Sequence, residues 1–193
     1  MATKLYTGSG DDGTTGLFGP QRVDKDHPQV EAYGAVDEVN ALIGMAAAAC
    51  EATDETGAEI LRILKDLQSR LFDLGADLAT LPGGKHEQKI KRITARDVSE
   101  IEAWIDSIEA GNEPLSDFVL PGGTELAARL HLARTVCRRA ERRMVNLGRS
   151  GPLNKHALIY VNRLGDLLFA MARRSNRWEG VAEVLWKQHK RRD

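Results

Sequence analysis

The sequence predicts an all-α fold, a single antiparallel bundle of five helices. Apolar residues recur at spacings of three and four along five segments, as on the buried face of a helix. Glycine and proline separate these segments, and few stretches alternate between apolar and polar residues as a half-buried strand does. A chain of 193 residues suits one domain of ordinary size, so one domain is predicted over 1–193.

The first two helices follow a loop that is rich in glycine, aspartate and threonine. Residues 1–27 have neither helical nor alternating periodicity, which predicts an ordered or ligand-ordered loop. Pro28 suits the first turn of a helix, and this helix, rich in small residues, continues to about Cys50. A second helix over about 54–79 carries a leucine-rich apolar stripe, which predicts that this face packs in the core.

The last three helices complete a bundle that spans 28–190. Thr94 and Asp97 resemble a capping box, in which two side chains satisfy unpaired N–H groups at the start of a helix. Glycine and proline end the segments that follow. The predicted spans are about 94–111, 124–148 and 152–177, with a shorter helical tail to about His189.

Charge, hydropathy and cysteine content exclude several classes of protein. The 27 lysines and arginines nearly balance the 28 aspartates and glutamates, so no nucleic-acid partner is expected. No apolar run approaches the roughly 18 residues that span a bilayer, and MATKLYTGSGDD lacks a secretory core, so no membrane partner is expected. The two cysteines, Cys50 and Cys137, lie in apolar helical segments, which predicts buried thiols in a reducing compartment. We therefore predict a cytoplasmic protein.

The fourth helix carries a polar ridge. At about 100° per residue, Arg134, Arg138 and Glu141 fall within roughly a 60° sector. Guanidinium groups one turn apart form a fork-shaped receptor for a polyanion such as a triphosphate. A solvated basic face, paired to acids on neighbouring helices, explains the same residues equally well. This helix alone leaves both interpretations open.

The N-terminal loop contains a glycine pattern without its usual context. Residues 8–15, GSGDDGTT, match the spelling of a dinucleotide fingerprint and of a P-loop. Both motifs need a strand before the glycines and a helix after them, but Leu-Phe-Gly-Pro follows here and Thr14 replaces the P-loop lysine. Backbone N–H groups of such a turn still bind phosphate oxygens. Phosphate binding and an aspartate-capped surface turn are both consistent with the pattern.

Three polar residues on the first and fifth helices require partners if they are buried. Asn162 and Asp166 lie one turn apart among apolar residues, where Arg134 or Arg138 of the neighbouring helix could pair with them. Asp37 poses the same question on the first helix. Each residue belongs either to a buried network that fixes helix register or to a ligand site.

Histidine spacing gives no indication of a protein-bound transition metal. A di-iron bundle uses Glu-x-x-His from two helices, and no glutamate here has a histidine three residues on. The five histidines are scattered, and Cys-x-x-Cys and His-x-x-x-His do not occur. An all-protein transition-metal site is therefore not expected.

Five blocks occur in order along the chain: YTGSGDDGTTGLFG, RVDKDHPQVEAYGAVDEVNALIG, FVLPGG, RTVCRRAERR and YVNRLGDLLFAMAR. Together they cover nearly the whole chain and resemble the PduO-type ATP:cob(I)alamin adenosyltransferase family. The resemblance implies a ferritin-like five-helix bundle that assembles as a homotrimer, with active sites between adjacent subunits. Each site would take MgATP and a corrinoid. The implied reaction transfers the 5′-deoxyadenosyl group of ATP to cob(I)alamin, giving adenosylcobalamin and triphosphate.

The resemblance also implies which residues bind ATP. Family members often carry lysines in the first loop, where this chain has Gly8 and Asp12, so the loop backbone and Lys25 are left to bind the triphosphate. Mg²⁺ would be held mainly by the ATP phosphates, with Glu141 as the candidate protein ligand. The implied ATP-binding residues are Thr7, Gly8, Ser9, Gly10, Thr15, Gly16, Lys25, Arg138, Arg139, Ala140, Glu141, Arg142 and Asn162.

The implied catalytic residues are Asp37, Phe118, Arg134 and Arg138. Asp37 would pair with Arg134 across a subunit boundary, and Phe118 would pack against the lower face of the corrin, with Asp166 as a second corrinoid contact. The nucleophile is the cobalt(I) of the corrinoid itself, so no general base is needed. The protein has to align cobalt with C5′ of ATP and neutralise the departing triphosphate, for which arginines and Mg²⁺ are suited.

Two classes of protein partner follow from the implied reaction: a reductase that supplies the electron and an adenosylcobalamin-dependent mutase that accepts the product. The alternative is a non-catalytic helical trimer that binds ATP or a corrinoid as a sensor or chaperone. Such a protein would keep Lys25 and Asn162 but would not turn over.

Overall fold

Five α-helices form the framework of the protein in a computed structural model, which describes residues 4, 6–81, 83 and 86–187. The prediction of five helices in an antiparallel bundle is confirmed. Among the described residues, no helix combines the length and the apolar character that crossing a bilayer requires. The helices are α1 (Pro28–Ala48), α2 (Glu55–Leu78), α3 (Ala95–Glu109), α4 (Glu125–Ser150) and α5 (Lys155–Trp178).

The helices begin where the sequence provides side chains that accept hydrogen bonds from the first turn. The predicted capping box is present, with the backbone N–H of Thr94 donating to the carboxylate of Asp97 at 2.9 Å. Four other N-cap side chains accept from N–H groups of their own helices, and these are His27, Asp54, Thr124 and Asn154.

The core lies where α4 packs between α1 and α5. The helix α2 packs mainly on α1, and α3 packs on α5. The predicted apolar stripe of α2 is buried, and the small residues of α1 allow this helix to approach α4 closely. The buried residues of the α2 stripe are Ile60, Leu64, Leu67, Leu71, Leu74 and Leu78.

The N-terminal segment differs from the prediction of an unbroken loop, because it contains a small hairpin. The strands β1 (Thr14–Gly16) and β2 (Arg22–Asp24) pair antiparallel. Each strand has three residues, too few for an alternating pattern to be visible in the sequence. The backbone N–H of Phe18 donates to the carbonyl of Ala79 at 3.2 Å, which fixes the hairpin to the end of α2.

The predicted helical tail after the fifth helix is wrong over residues 179–187, which we call the C-terminal strap; the end of that prediction at His189 lies outside the described residues. Gly180 adopts a φ of 71°, a left-handed conformation that ends α5. The strap then runs beside the loop that precedes α4, where Leu185 and Val119 form an antiparallel bridge. Backbone pairing with a distant segment replaced the local helical hydrogen bonds.

A buried asparagine joins the start of α4 to α5. The side-chain oxygen of Asn176 accepts from the N–H of Thr124 at 2.9 Å, and its Nδ2 donates to the carbonyl of Gly122 at 3.1 Å. A Cβ at Gly123 would lie 2.0 Å from this oxygen, and the φ of Gly123 is 103°, so only glycine fits there. The side chain of Asn176 therefore fixes the end of the loop that leads into α4.

We predict that Asn176→Ala lowers the free energy of unfolding by about 1 to 3 kcal/mol, because the buried N–H and carbonyl lose their partners. The change is measured by urea denaturation. Asn146→Ala, at an exposed position of α4, is the control and leaves the midpoint close to that of the parent. Equal midpoints for both variants would show that the amide of Asn176 does not hold this loop.

Candidate functional site

The arginines of α4 fall into two groups. Arg134 and Arg138, one turn apart, have no carboxylate within 4.0 Å in the described part of the chain. The interpretation of a paired basic face therefore fits only part of this helix. The paired arginines are Arg129 with Glu125, Arg139 with Glu38, and Arg143 with Glu31.

Arg134 and Arg138 form an uncompensated positive site. Burial, and then the positive charge of Arg138, lower the pKa of Arg134. The Nε of Arg134 is buried and has no hydrogen-bond partner in the described structure. Its guanidinium lies 5.8 Å from the centre of the Phe169 ring. An anion placed between the two guanidinium groups would relieve their repulsion.

Glu141 and Asn162 meet on the same side of the bundle. The Nδ2 of Asn162 donates to the carboxylate of Glu141 at 2.9 Å, and Arg163 donates to the Oδ1 of Asn162 at 2.9 Å. The proposed partners Arg134 and Arg138 are thus replaced by Glu141 and Arg163. These contacts leave Asn162 partly exposed and directed toward the polar ridge of α4.

Two further expectations about helix faces are corrected. Asp166 is exposed, so it needs no buried partner, because the turn of α5 carries it out of the apolar face. Ala140 is fully buried, so its methyl group faces the core and offers no side chain to a nucleotide. Arg142 is exposed, whereas Arg139 is held beside α1 by Glu38.

The glycine-rich loop folds back on itself and brings a lysine to its turn. Gly8 has a φ of 71°, a conformation suited to glycine. The hydroxyls of Thr7 and Ser9 lie 2.9 Å apart. A Cβ at Gly10 would lie 3.4 Å from the Nζ of Lys25, so the ammonium group reaches this glycine. Thr15 and Gly16 lie in β1, and their backbone groups belong to the hairpin.

Arg22 is a loop residue that the sequence analysis missed. Its Nε donates to the hydroxyl of Thr14 at 3.1 Å, and its Nη2 donates to the carbonyl of Ser9. Asp12 accepts from the hydroxyl and N–H of Thr14, which lower the pKa of this carboxyl. The sequence did contain a signal for the role of Arg22: it is a cation three residues before Lys25, in a loop that lacks the lysines common in the family that the chain resembles.

Asp37 and Phe118 lie at the surface of the chain. Asp37 is exposed beside an open groove between α1 and α2, and it has no ion-pair partner in the residues that the structure describes. The side chain of Phe118 is 78% exposed, so it is not a core residue. Its ring packs edge-on against that of Trp186, with 6.3 Å between the ring centres.

His131 lies next to the ridge on α4 and was not singled out by the sequence. It is buried, neither ring nitrogen has a hydrogen-bond partner in the described structure, and its ring centre lies 6.1 Å from that of Phe169. Burial, and then the charge of Arg134, lower its pKa from 6.5 to about 4. His131 is therefore neutral near pH 7 and adds no charge to the ridge.

The structure brings the predicted site residues together in two groups, the N-terminal loop with Lys25 and the α4 ridge with Asn162. No hydrogen bond or ion pair among the described residues joins the N-terminal loop to the α4 ridge, or Asp37 to Arg134. The described residues also contain no group of three or more histidine, cysteine, aspartate or glutamate side chains placed to hold a metal ion.

Comparison with known proteins shows the family. A model of the cobalamin adenosyltransferase family matches residues 5–175, and the chain belongs to this family. It is 44% identical over 186 residues to a corrinoid adenosyltransferase of Bacillus subtilis, covering 96% of this chain and 93% of that protein. It is 42% identical over 187 residues to one of Mycobacterium tuberculosis, with coverage of 96% and 93%.

Solved structures are similar throughout the chain. One is a phenylalanine-to-alanine variant of the PduO-type ATP:corrinoid adenosyltransferase of Lactobacillus reuteri, complexed with cobalamin and ATP. It is 36% identical, covers 96% of this chain and 100% of that chain, and superposes with a TM-score of 0.87. An arginine-to-lysine variant of that enzyme, complexed with ATP, is 37% identical over 95% of this chain and 100% of its own, with a TM-score of 0.86.

The depressed pKa of His131 predicts a pH dependence of stability. His131 takes up a proton near pH 6.5 in the unfolded chain but only near pH 4 in the folded chain. The neutral buried ring therefore contributes its full stability above pH 6.5, and this stability is lost as the pH falls to about 4. His131→Leu removes the titrating group. Its urea midpoint should fall less steeply between pH 6.5 and 4 than that of the parent, and parallel curves would contradict the assignment.

Proposed function

We propose that this member of the cobalamin adenosyltransferase family transfers the 5′-deoxyadenosyl group of ATP to cob(I)alamin, releasing triphosphate. The observation that carries the proposal is Arg138, which is exposed and has no carboxylate within 4.0 Å in the described chain. Arg129, Arg139 and Arg143 of the same helix are paired to glutamates within the chain, whereas Arg138 is available to a polyanion.

The nucleotide is bound by the loop on one side and by the ridge on the other. The backbone of the glycine turn and Lys25 bind phosphate oxygens, and Arg22 holds the turn through Ser9 and Thr14. Arg138 and Arg142 supply charge from α4, and Asn162 supplies an amide.

Mg²⁺ enters this site with ATP. The ion prefers oxygen ligands and keeps several waters, so phosphate oxygens and one carboxylate suit it. Glu141 is the carboxylate on the ridge, and its hydrogen bond from Asn162 orients it. When bound, the ion adds positive charge next to the triphosphate.

The corrinoid binds at the exposed aromatic pair. Phe118 and Trp186 present apolar rings at the surface, and large exposed apolar groups mark interaction sites. Phe118 packs against the lower corrin face and excludes the lower axial ligand, which makes cob(II)alamin easier to reduce. Asp166 is exposed on α5 and is the second corrinoid contact.

The active site forms between copies of the chain in a homotrimer. Asp37 and Arg134 are each without an ion-pair partner in the described chain and lie on different helices, so a second copy is the natural source of the missing charge. Asp37 of one copy meets Arg134 of the next, and the loop of one copy meets the ridge of the other.

The reaction depends on positive charge beside the leaving triphosphate and on the alignment of cobalt with C5′, and it needs no acid–base catalysis. The cobalt(I) electron pair forms the bond to C5′ while the C5′–O bond breaks, and the triphosphate leaves with the electron pair of that bond. No proton is removed. Arg138 neutralises the charge that grows on the leaving oxygen. The protein holds C5′ in line with cobalt, which converts an encounter of two solutes into a unimolecular step.

The cytoplasm is the proposed location, where a reductase supplies the electron and an adenosylcobalamin-dependent mutase takes the product. Cys50 and Cys137 support a reducing compartment because both are buried and free. Burial raises the pKa of Cys50 and raises that of Cys137 to about 12, so neither is a reactive thiolate.

The activity is tested by mixing the protein with MgATP and chemically reduced cob(I)alamin and following the absorbance change of cobalt–carbon bond formation. We predict that Arg138→Ala reduces kcat/KM by roughly 10- to 100-fold, the effect of losing a hydrogen bond to a charged group. Arg143→Ala, whose side chain pairs with Glu31 at 3.3 Å, is the matched control and keeps near-parent activity. Equal activity of the two variants would remove Arg138 from the site.

We predict that Asp37 and Arg134 act as one unit across the subunit boundary. Asp37→Ala and Arg134→Ala should each lose activity or trimer assembly, since either change leaves a charge without its partner. The double variant should be little worse than either single variant. Sedimentation and kcat/KM are measured for the parent, both single variants and the double variant, which together form a double-mutant cycle. Strictly additive effects would mean that the two residues do not meet.

A further inference from the structure

A buried ion pair between Glu183 and Arg173 joins the C-terminal strap to α5. Both carboxylate oxygens of Glu183 accept from Arg173, at 3.0 and 3.2 Å from Nε and at 3.1 Å from Nη2. The side chain of Arg173 is 5% exposed, and its Nη2 also donates to the carbonyl of Glu113 at 2.9 Å. A guanidinium so deeply buried needs a carboxylate partner: Glu183 binds it by two atoms, whereas the carboxylate of Glu109 lies 3.9 Å from its Nη1 and is not hydrogen-bonded to it.

The residues that follow Glu183 hold the loop that carries Phe118. The N–H of Leu120 donates to the carbonyl of Val184 at 2.8 Å, and the N–H of Trp186 donates to the carbonyl of Phe118 at 2.7 Å. The ring of Trp186 then packs against that of Phe118. Because Phe118 is 78% exposed, the strap supplies the contacts that fix its backbone and its ring.

The ion pair between Glu183 and Arg173 also lies near the polar ridge of α4. The guanidinium of Arg173 lies 6.0 Å from the centre of the Phe169 ring, and that of Arg134 lies 5.8 Å from it. One aromatic side chain therefore separates the anchor of the strap from the uncompensated arginine of α4.

We propose that Glu183 is a positioning residue: by anchoring the strap to Arg173, it sets the place of Phe118 and Trp186 for the corrinoid. Glu183 does not touch the substrate and acts through the two backbone hydrogen bonds between the strap and the Phe118 loop. This inference rests on the proposed function in one respect, namely that Phe118 contacts the corrin.

The test is Glu183→Gln, which keeps the shape of the side chain and removes its charge. Hydrogen exchange at the amides of Leu120 and Trp186 should become faster, because these N–H groups bond only across the strap and its loop. The Kd for cob(II)alamin, measured without oxygen in the presence of MgATP, should rise by roughly tenfold, as expected for loss of a charge-assisted hydrogen bond. The Kd for ATP should change little, whereas the thermal midpoint should fall, because the buried guanidinium of Arg173 loses its charged partner.

Glu100→Gln is the matched control. Glu100 pairs with Arg70 at 2.8 Å, another partly buried arginine, but this pair joins α3 to α2 away from the strap. The control should leave both exchange rates and the Kd for cob(II)alamin at parent values. A general loss of stability would weaken the binding of ATP and of cob(II)alamin alike, whereas the positioning role affects the corrinoid alone.

A disulfide across the bridge provides a rescue. Val119 and Leu185 are directly opposite each other and do not exchange hydrogen bonds, the arrangement that brings Cα atoms closest in an antiparallel pair. Val119→Cys with Leu185→Cys, oxidised in the Glu183→Gln background, should restore slow exchange and the parent Kd. Binding of cob(II)alamin needs no reductant, so the disulfide persists during the measurement.

The measurements separate three claims: that Glu183 anchors the strap, that it acts through the strap, and that Phe118 contacts the corrinoid. Unchanged exchange in Glu183→Gln overturns the anchoring role, and a raised Kd that the disulfide fails to restore overturns action through the strap. Phe118→Ala separates the proposal from the site on which it rests. If Phe118→Ala raises the Kd for cob(II)alamin but Glu183→Gln does not, the positioning role alone is wrong. If Phe118→Ala leaves this Kd unchanged, the corrinoid contact of Phe118 is wrong, and the functional part of the proposal falls with it.

Discussion

The burial of α4 between α1 and α5 is the constraint on which the rest of the structure depends. Ala133, Cys137 and Ala140 fill the interior face of α4, and that packing fixes the rotation of the helix about its axis. Once the rotation is fixed, Arg139 lies beside Glu38 of α1, while Arg134 and Arg138 have no carboxylate within 4.0 Å in the described chain. The charge distribution of the site is thus a consequence of core packing.

An unpaired arginine next to a second one lowers the stability of the isolated chain, and Arg134 carries part of this cost because it is also partly buried. The neighbouring groups limit the cost without cancelling the charge. His131 is held neutral by its burial, and the ring of Phe169 offers its face to the guanidinium. Charged side chains without a partner in the protein are concentrated at ligand-binding sites. The chain belongs to the cobalamin adenosyltransferase family, and a positive site on α4 is consistent with that family.

The other half of the site depends on contacts between segments that are far apart in the chain. The loop before α4 is fixed by Asn176 of α5 and by the C-terminal strap, and the rings of Phe118 and Trp186 meet as a result. This explains why the helical tail was mispredicted. The segment after Gly180 is short, its apolar residues fit either a helix or a strand, and the free N–H and carbonyl groups of a distant loop decided its conformation.

The sequence by itself determined the five helices, the capping box at Thr94 and the ridge of α4, because periodicity and caps act within a few residues. It also carried the motifs that indicate the family. Only the tertiary structure decided which arginines are paired, that Asn162 binds Glu141, that Asp166 and Phe118 are exposed, and that Arg22 organises the loop. The physical reason is distance along the chain: periodicity sets which face of a helix is apolar, but a polar side chain finds its partner on another element, whose position depends on how the whole core packs.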